Sequence, residues 1–150
     1  TDDDWERGVG VNLAGAWRVA QESARRMVAG GTGGSIVNIA SILGLRVAAQ
    51  VPGYAASKAA LIHLTRAMAL ELARHKIRVN ALAPGYVETG INRAFFESEA
   101  GEALVRRIPQ RRLGQPADLD AALLMLASDA GSWATGSVFV LDGGHLAGSL

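Results

Sequence analysis

No cysteine occurs anywhere in the 150 residues, which excludes disulfide crosslinks and thiolate metal ligands and fits a reducing cytoplasm. Neither sign of charge dominates: 15 Lys and Arg oppose 14 Asp and Glu, a formal net charge of +1. No basic run exceeds a pair, so neither nucleic acid nor an anionic membrane surface is indicated as a partner. No apolar run approaches the roughly 18–20 residues of a membrane span. The acidic start Thr1-Asp2-Asp3-Asp4 does not read as a signal peptide. His63, His75 and His145 have no carboxylate or thiol partners at metal-ligand spacing, so no metal site is assigned. What remains, 49% hydrophobic and 19% charged residues, is ordinary for one soluble globular domain spanning residues 1–150.

Scarcity makes one stretch conspicuous. Only two tyrosines and two lysines are present, and Tyr54 and Lys58 stand four residues apart where Pro52-Gly53 gives way to an alanine-rich helix. That spacing puts both on one helical face. A phenol, with a pKa near 10, is a poor acid or base at neutral pH. An ammonium within about 4–6 Å favours the phenolate and brings proton transfer toward the working range. Ser41, thirteen residues before Tyr54, follows the apolar run Ser35-Ile36-Val37-Asn38-Ile39-Ala40. Its hydroxyl is therefore predicted at the carboxyl end of a strand, where open α/β sheets bind their ligands.

With V-N-L at 11–13, S-I-V-N-I-A-S at 35–41, Y-A-A-S-K at 54–58, R-V-N-A-L-A-P-G-Y-V-E-T at 78–89 and L-D-G-G at 141–144, the chain resembles the classical short-chain dehydrogenases/reductases. The resemblance implies an oxidoreductase that interconverts an alcohol and a ketone with NAD or NADP. By that resemblance Tyr54 is the proton donor or acceptor, Lys58 tunes it and holds the nicotinamide ribose, and Ser41 orients the carbonyl or hydroxyl. Asn12 would complete the catalytic set by holding a water in a relay that includes the lysine. Pro84 and Gly85 would lie beside the nicotinamide, with Val87 and Thr89 on its carboxamide. Taken from the residues alone, Asn12 is equally a tolerated surface asparagine, mildly unfavourable in mid-helix because its amide competes with the backbone.

The remaining pattern alternates helix and strand. Thr1 can cap a helix whose first-turn carboxylates oppose the dipole, and an apolar stripe at Trp5, Val9, Leu13, Ala16, Ala20, Ala24 and Met27 carries it to about Ala29. Residues 36–40 read as a strand buried on both faces, in which Asn38 needs an internal partner. A second helix runs from Tyr54 to about His75, with Ala55, Ala59, Ile62, Ala69 and Leu72 on one side and Leu61, Leu64 and Met68 on another. So broad an apolar surface predicts a homo-oligomer through the helices at 2–29 and 54–75. Residues 77–83 form the next strand, stopped by Pro84-Gly85. Residues 90–115 read as a lid or binding loop, with Phe95 and Phe96 as apolar substrate contacts. The arginines at 106, 107, 111 and 112 could receive an anionic substrate, though such charges are more often solvated or ion-paired. Pro116 opens a helix over 117–128 that turns Leu119, Leu123 and Leu126 inward, and residues 137–141 make a third strand.

The expected fold class is thus α/β: the C-terminal half of a Rossmann-like doubly wound parallel sheet with flanking helices. No glycine-rich loop follows a strand near the start, since the glycines at 30–34 end a helix rather than begin one. The chain is therefore expected to be the catalytic half of a longer cytoplasmic enzyme, inactive by itself, with strand 36–40 presenting an unpaired edge. The alternative is a non-catalytic oligomerising remnant that has lost cofactor binding.

Overall fold

The computed structural model describes residues 1–148. Three parallel strands form one open sheet in the order β1 (Gly34–Ile39), β2 (Ile77–Pro84), β3 (Val138–Leu141). Register runs from Gly34 opposite Ile77 to Ile39 opposite Leu82, and from Ala81 opposite Val138 to Pro84 opposite Leu141. Because the strands are parallel, the segments that follow them emerge at one end of the sheet. Those segments begin with Ala40-Ser41, Gly85-Tyr86 and Asp142-Gly143.

Side-chain alternation along the strands separates the two faces. On one face Ile36, Ile77 and Val79 join Ala20 and Ala24 of α2 (Ala16–Gly30) and Met68 and Ala69 of α3 (Pro52–Leu72) in a core, while Ala40, Ala81 and Ala83 pack on Ile62. Small alanines on the strands and on α2 allow the helices to approach the sheet closely. Asn38 finds the internal partner it needs: its Nδ2 donates to Thr65 Oγ1 at 2.9 Å, and Thr65 donates in turn to the Leu61 carbonyl at 2.8 Å. On the other face Ser35 Oγ donates to the Leu126 carbonyl at 2.7 Å, and the Arg78 guanidinium donates to the carbonyls of Leu126 and Ser128.

Four expectations need correction. The first helix is not continuous from residue 2 to 29: α1 (Asp2–Val9) and α2 are joined by a π-helical turn, Gly10–Gly15. Glycines bracket this widened turn, and Asn12 within it directs its amide across to α3 instead of to its own backbone. The strand at 36–40 begins earlier, at Gly34, and is not buried on both faces, because it is the sheet edge and Ile39 is 49% exposed. Full burial belongs to β2, where every residue from Val79 to Ala83 is buried. On α3, Ala59 faces outward, whereas Ser57 and Thr65 are buried in its place. The fourth concerns the helix over 117–128. It begins with a 3₁₀ turn at Pro116–Leu119 and continues as Asp120–Ala127, but Leu123 and Leu124 are 39% and 67% exposed; only Leu126 is buried, and its carbonyl takes the Ser35 and Arg78 bonds.

The predicted helix start at Thr1 is observed as a capping box with Asp4, and α2 ends at a left-handed Gly31. Residues 90–115, expected as a lid, contain two short helices, Arg93–Phe96 (α4) and Glu99–Val105 (α5), and a fully buried Ile108. None of the described helices is long and apolar enough to cross a membrane.

Candidate functional site

The Tyr54-to-Lys58 spacing does what one helical turn demands. Lys58 Nζ stands 5.6 Å from the centre of the Tyr54 ring and donates to the Ile39 carbonyl at 2.8 Å. Ile39 ends β1, so the hydrogen bond ties the ammonium to the carboxyl edge of the sheet. Burial pushes the Lys58 pKa down from its ordinary value of 10.5, because a cation loses hydration there. Tyr54 is 38% exposed, accessible to a ligand.

Ser41 is buried and extended, and it caps a 3₁₀ turn, Ile42–Gly44, by accepting the Leu43 N–H at 3.1 Å. That bond uses a lone pair and leaves the hydroxyl proton available to donate. The turn is held against α3 by Gly44, where a Cβ would fall 2.8 Å from the Lys58 carbonyl carbon and oxygen. Only a residue without a side chain lets the Ser41 turn and the Lys58 backbone come so close. Ser41, Lys58 and Tyr54 are therefore brought to one locality by the strand end, the Gly44 contact and the helix.

Asn12 is carried to the same helix from the other side. Its Nδ2 donates to Ser57 Oγ at 3.4 Å, and Ser57 donates to the Tyr54 carbonyl at 2.7 Å. Asn12, Lys58 and the edge residues Val37 and Ile39 share the lining of an open groove of ≈ 540 Å³. Ser57 was not singled out in the sequence; it stands between the two motif residues in Y-A-A-S-K, but its connection to Asn12 spans 45 positions and required the fold.

Pro84 is the last residue of β2, and the Gly85 N–H donates to the Leu141 carbonyl at 2.8 Å, joining the two strand ends. Beyond it Val87 is half-buried and Thr89 exposed. Asn92 secures both, accepting the Thr89 N–H at 2.8 Å and donating to the Val87 carbonyl at 2.9 Å. Phe96 is half-buried with its ring edge-on to Tyr86 at 6.1 Å, whereas Phe95 is 49% exposed. Two of the four arginines are ion-paired, Arg106 with Glu102 at 3.5 Å and Arg112 with Asp118 at 2.6 Å. His145 packs on Tyr86 with ring centres 5.4 Å apart, and burial, aided by the Arg46 charge, lowers its pKa. Among the described residues no group of three His, Cys, Asp or Glu could hold a metal ion.

Comparison with known proteins bears on this arrangement. Residues 1–145 match the family model described as enoyl-(acyl carrier protein) reductase. The chain is 38% identical over 148 residues to 2-dehydro-3-deoxy-D-gluconate 5-dehydrogenase of Escherichia coli, covering 98% of this chain and 58% of that protein. It is 41% identical over 143 residues to 3-oxoacyl-[acyl-carrier-protein] reductase of Thermotoga maritima, covering 95% and 57%. Among solved structures, a gluconate 5-dehydrogenase from Burkholderia cenocepacia in complex with NADP and tartrate superposes with a TM-score of 0.95 at 39% identity, over 99% of this chain and 58% of that one. A 4-hydroxyisoleucine dehydrogenase complexed with NADH gives 0.95 at 36% identity, over 99% and 62%. The open parallel sheet with flanking helices is thus the partial Rossmann-like fold expected, and the chain spans under two thirds of the length of these relatives.

Proposed function

We propose, on the premise that the chain belongs to the short-chain dehydrogenase/reductase family, that it is the catalytic portion of an NAD- or NADP-dependent oxidoreductase interconverting an alcohol and a ketone. The observation that carries this reading is the Lys58 ammonium, tied to the Ile39 carbonyl at 2.8 Å and lying 5.6 Å from the Tyr54 ring centre, beside the Ser41 turn. The donor set fits the nicotinamide riboside end of such a cofactor. Hydroxyls on Tyr54 and Thr89 and the Lys58 ammonium suit ribose hydroxyls and a carboxamide. The nicotinamide, when bound, supplies or accepts the hydride.

The chain's own residues handle the proton and the substrate oxygen. In reduction the Tyr54 hydroxyl gives its proton to the carbonyl oxygen as that oxygen gains charge; in oxidation the phenolate takes it back. The Lys58 cation, 5.6 Å from the ring centre, faces the charge that moves during this transfer, and its bond to Ile39 keeps it from swinging away. Ser41, whose lone pair is already engaged by Leu43, directs its proton to the same substrate oxygen. Asn12, linked to Tyr54 through Ser57, holds the water of the relay that resupplies the proton. Pro84, Gly85, Val87 and Thr89 would hold the nicotinamide.

The small-molecule substrate carries a carbonyl or carbinol; the relatives' names span sugar acids and carrier-bound acyl chains. A homo-oligomer formed through α1, α2 and α3 is part of the proposal. An apolar groove of ≈ 390 Å³ between Trp17, Ala24 and Val28 of α2 and Met68 and Leu72 of α3 supports it, as does Leu70, 85% exposed. A reducing cytoplasm suits a chain without cysteine. The test is hydride tracing in the full-length protein: with NADH or NADPH deuterated at nicotinamide C4 and a panel of ketones, deuterium should appear on the carbinol carbon of the product. Nucleotide oxidation without label in any product would refute the reading.

A further inference from the structure

We propose that Arg112 and Asp118 are positioning residues that hold Val87 and Thr89 in place for the cofactor; this rests on the reading above that those two residues meet the nicotinamide. Val87 and Thr89 lie in irregular backbone beyond β2, where no strand ladder fixes them. Asn92 braces this segment from its own side. The opposite brace is Gly114, whose N–H donates to the Tyr86 carbonyl at 2.9 Å and whose carbonyl accepts the Glu88 N–H at 2.8 Å. Both backbone groups of Gly114 are therefore spent on either side of Val87, making a single parallel bridge. A Cβ on Gly114 would lie 3.3 Å from Val87 Cγ2, so the Val87 side chain also packs against Gly114.

Gly114 needs its own support, and Arg112 and Asp118 provide it. The guanidinium forks onto the carboxylate, Nη1 to Oδ2 at 2.6 Å and Nη2 to Oδ1 at 3.0 Å. Arg112 Nη1 also donates to the Leu113 carbonyl at 3.0 Å, and Asp118 Oδ2 accepts the Gln115 N–H at 2.7 Å. The seven residues from Arg112 to Asp118 thus form a closed ring of bonds with Gly114 at its tip. Gln115 Nε2 then reaches Glu88 Oε2 at 3.0 Å, a side-chain contact beside the backbone bridge, and Arg93 holds the other Glu88 oxygen at 3.2 Å. A half-exposed ion pair of this kind contributes little to global stability. Its bidentate geometry instead fixes a local shape, and the effect of breaking it is expected in the Tyr86–Thr89 segment. Neither residue is assigned contact with the reacting atoms.

The test compares Asp118→Ala, which removes every acceptor, with Asp118→Asn, which keeps an oxygen for the Gln115 N–H but loses the charge. Both are made in the full-length protein. Without nucleotide, hydrogen exchange at the Glu88 and Gly114 amides should rise about tenfold in Asp118→Ala and less in Asp118→Asn, while Leu82 in β2 is unchanged. The dissociation constant for NAD(P)H, read by its fluorescence, should weaken in the same order. Unchanged exchange at Glu88 and Gly114, or a rise spread through β2 as well, would overturn the proposal. Thr89→Ala separates the two levels. If it leaves nucleotide affinity intact, the assignment of Thr89 to the cofactor fails; if it weakens affinity and Asp118→Ala does not, the positioning role alone fails.

Discussion

Lys58 and Ile39 are joined by a hydrogen bond of 2.8 Å from the ammonium to the main-chain carbonyl, so a lysine in the second turn of α3 is anchored to the last residue of β1. The bond fixes where the positive charge sits relative to Tyr54, which a long flexible side chain would not otherwise maintain. Replacing Lys58 by methionine keeps the apolar stem and removes the charge. Turnover should fall by roughly 100-fold or more, with the helix intact by circular dichroism.

The pH dependence follows from the direction of the Lys58 shift. Burial disfavours the cation, so the ammonium loses its proton at a lower pH than the ordinary 10.5. Ketone reduction, which uses the Tyr54 hydroxyl and the Lys58 cation together, should therefore be full on the acid side of this titration and decline as pH rises through a value below 10.5. A rate profile of the full-length protein that stayed flat past that point would contradict the role.

Asn38 and Thr65 share a bond of 2.9 Å in the core. Thr65→Ala leaves the Asn38 amide without this acceptor and should cost about 1–3 kcal/mol in urea unfolding. Changing Asn38 to leucine in the Thr65→Val background should recover part of that loss, because both polar groups are then gone.

Gly44 sets the distance between the Ser41 turn and α3. An alanine there would meet the Lys58 carbonyl at 2.8 Å, and the resulting shift should cost roughly 1–3 kcal/mol and lower turnover, measured by thermal unfolding and by kcat.

Asp118 is held at a pKa of about 2, against an ordinary 3.8, chiefly by the Arg112 hydrogen bond and then by the Gln115 N–H. A depressed carboxylate contributes stability above its unfolded pKa and loses it as pH falls through the folded value. Carbon-detected NMR titration should show the Asp118 carboxyl ionised down to pH about 2, and nearer 3.8 in Arg112→Gln.

Much of this was legible from residues close in sequence. Thr1 with Asp4, the Tyr54-to-Lys58 turn and the strand ending before Ser41 depend on local geometry, and each is found where pattern and chemistry set it. The need of Asn38 for a buried partner was also readable, although Thr65 as that partner was not. What escaped depends on distant contacts. The π-helical turn around Asn12 is linked to Ser57 on α3, and hydrophobic periodicity gives no sign of it. Leu123 and Leu126 look alike in the sequence, but only the second lies against β1 and β2. Residues 90–115 looked unstructured because α4 and α5 are short and Ile108, the buried anchor, lies beside Gly143. The ring at Arg112 and Asp118 lay within a polar stretch whose charges look solvated until Gly114 is seen against Val87.

One oxygen atom carries the proton in the proposed reaction, and Tyr54→Phe removes it while keeping the ring beside the Lys58 ammonium. In the full-length protein, NAD(P)H-dependent reduction of a ketone at saturating nucleotide should fall by roughly 100- to 10,000-fold, with the melting temperature close to wild type. Turnover within a few-fold of wild type would contradict the assignment of the proton to Tyr54 and, with it, the proposed function.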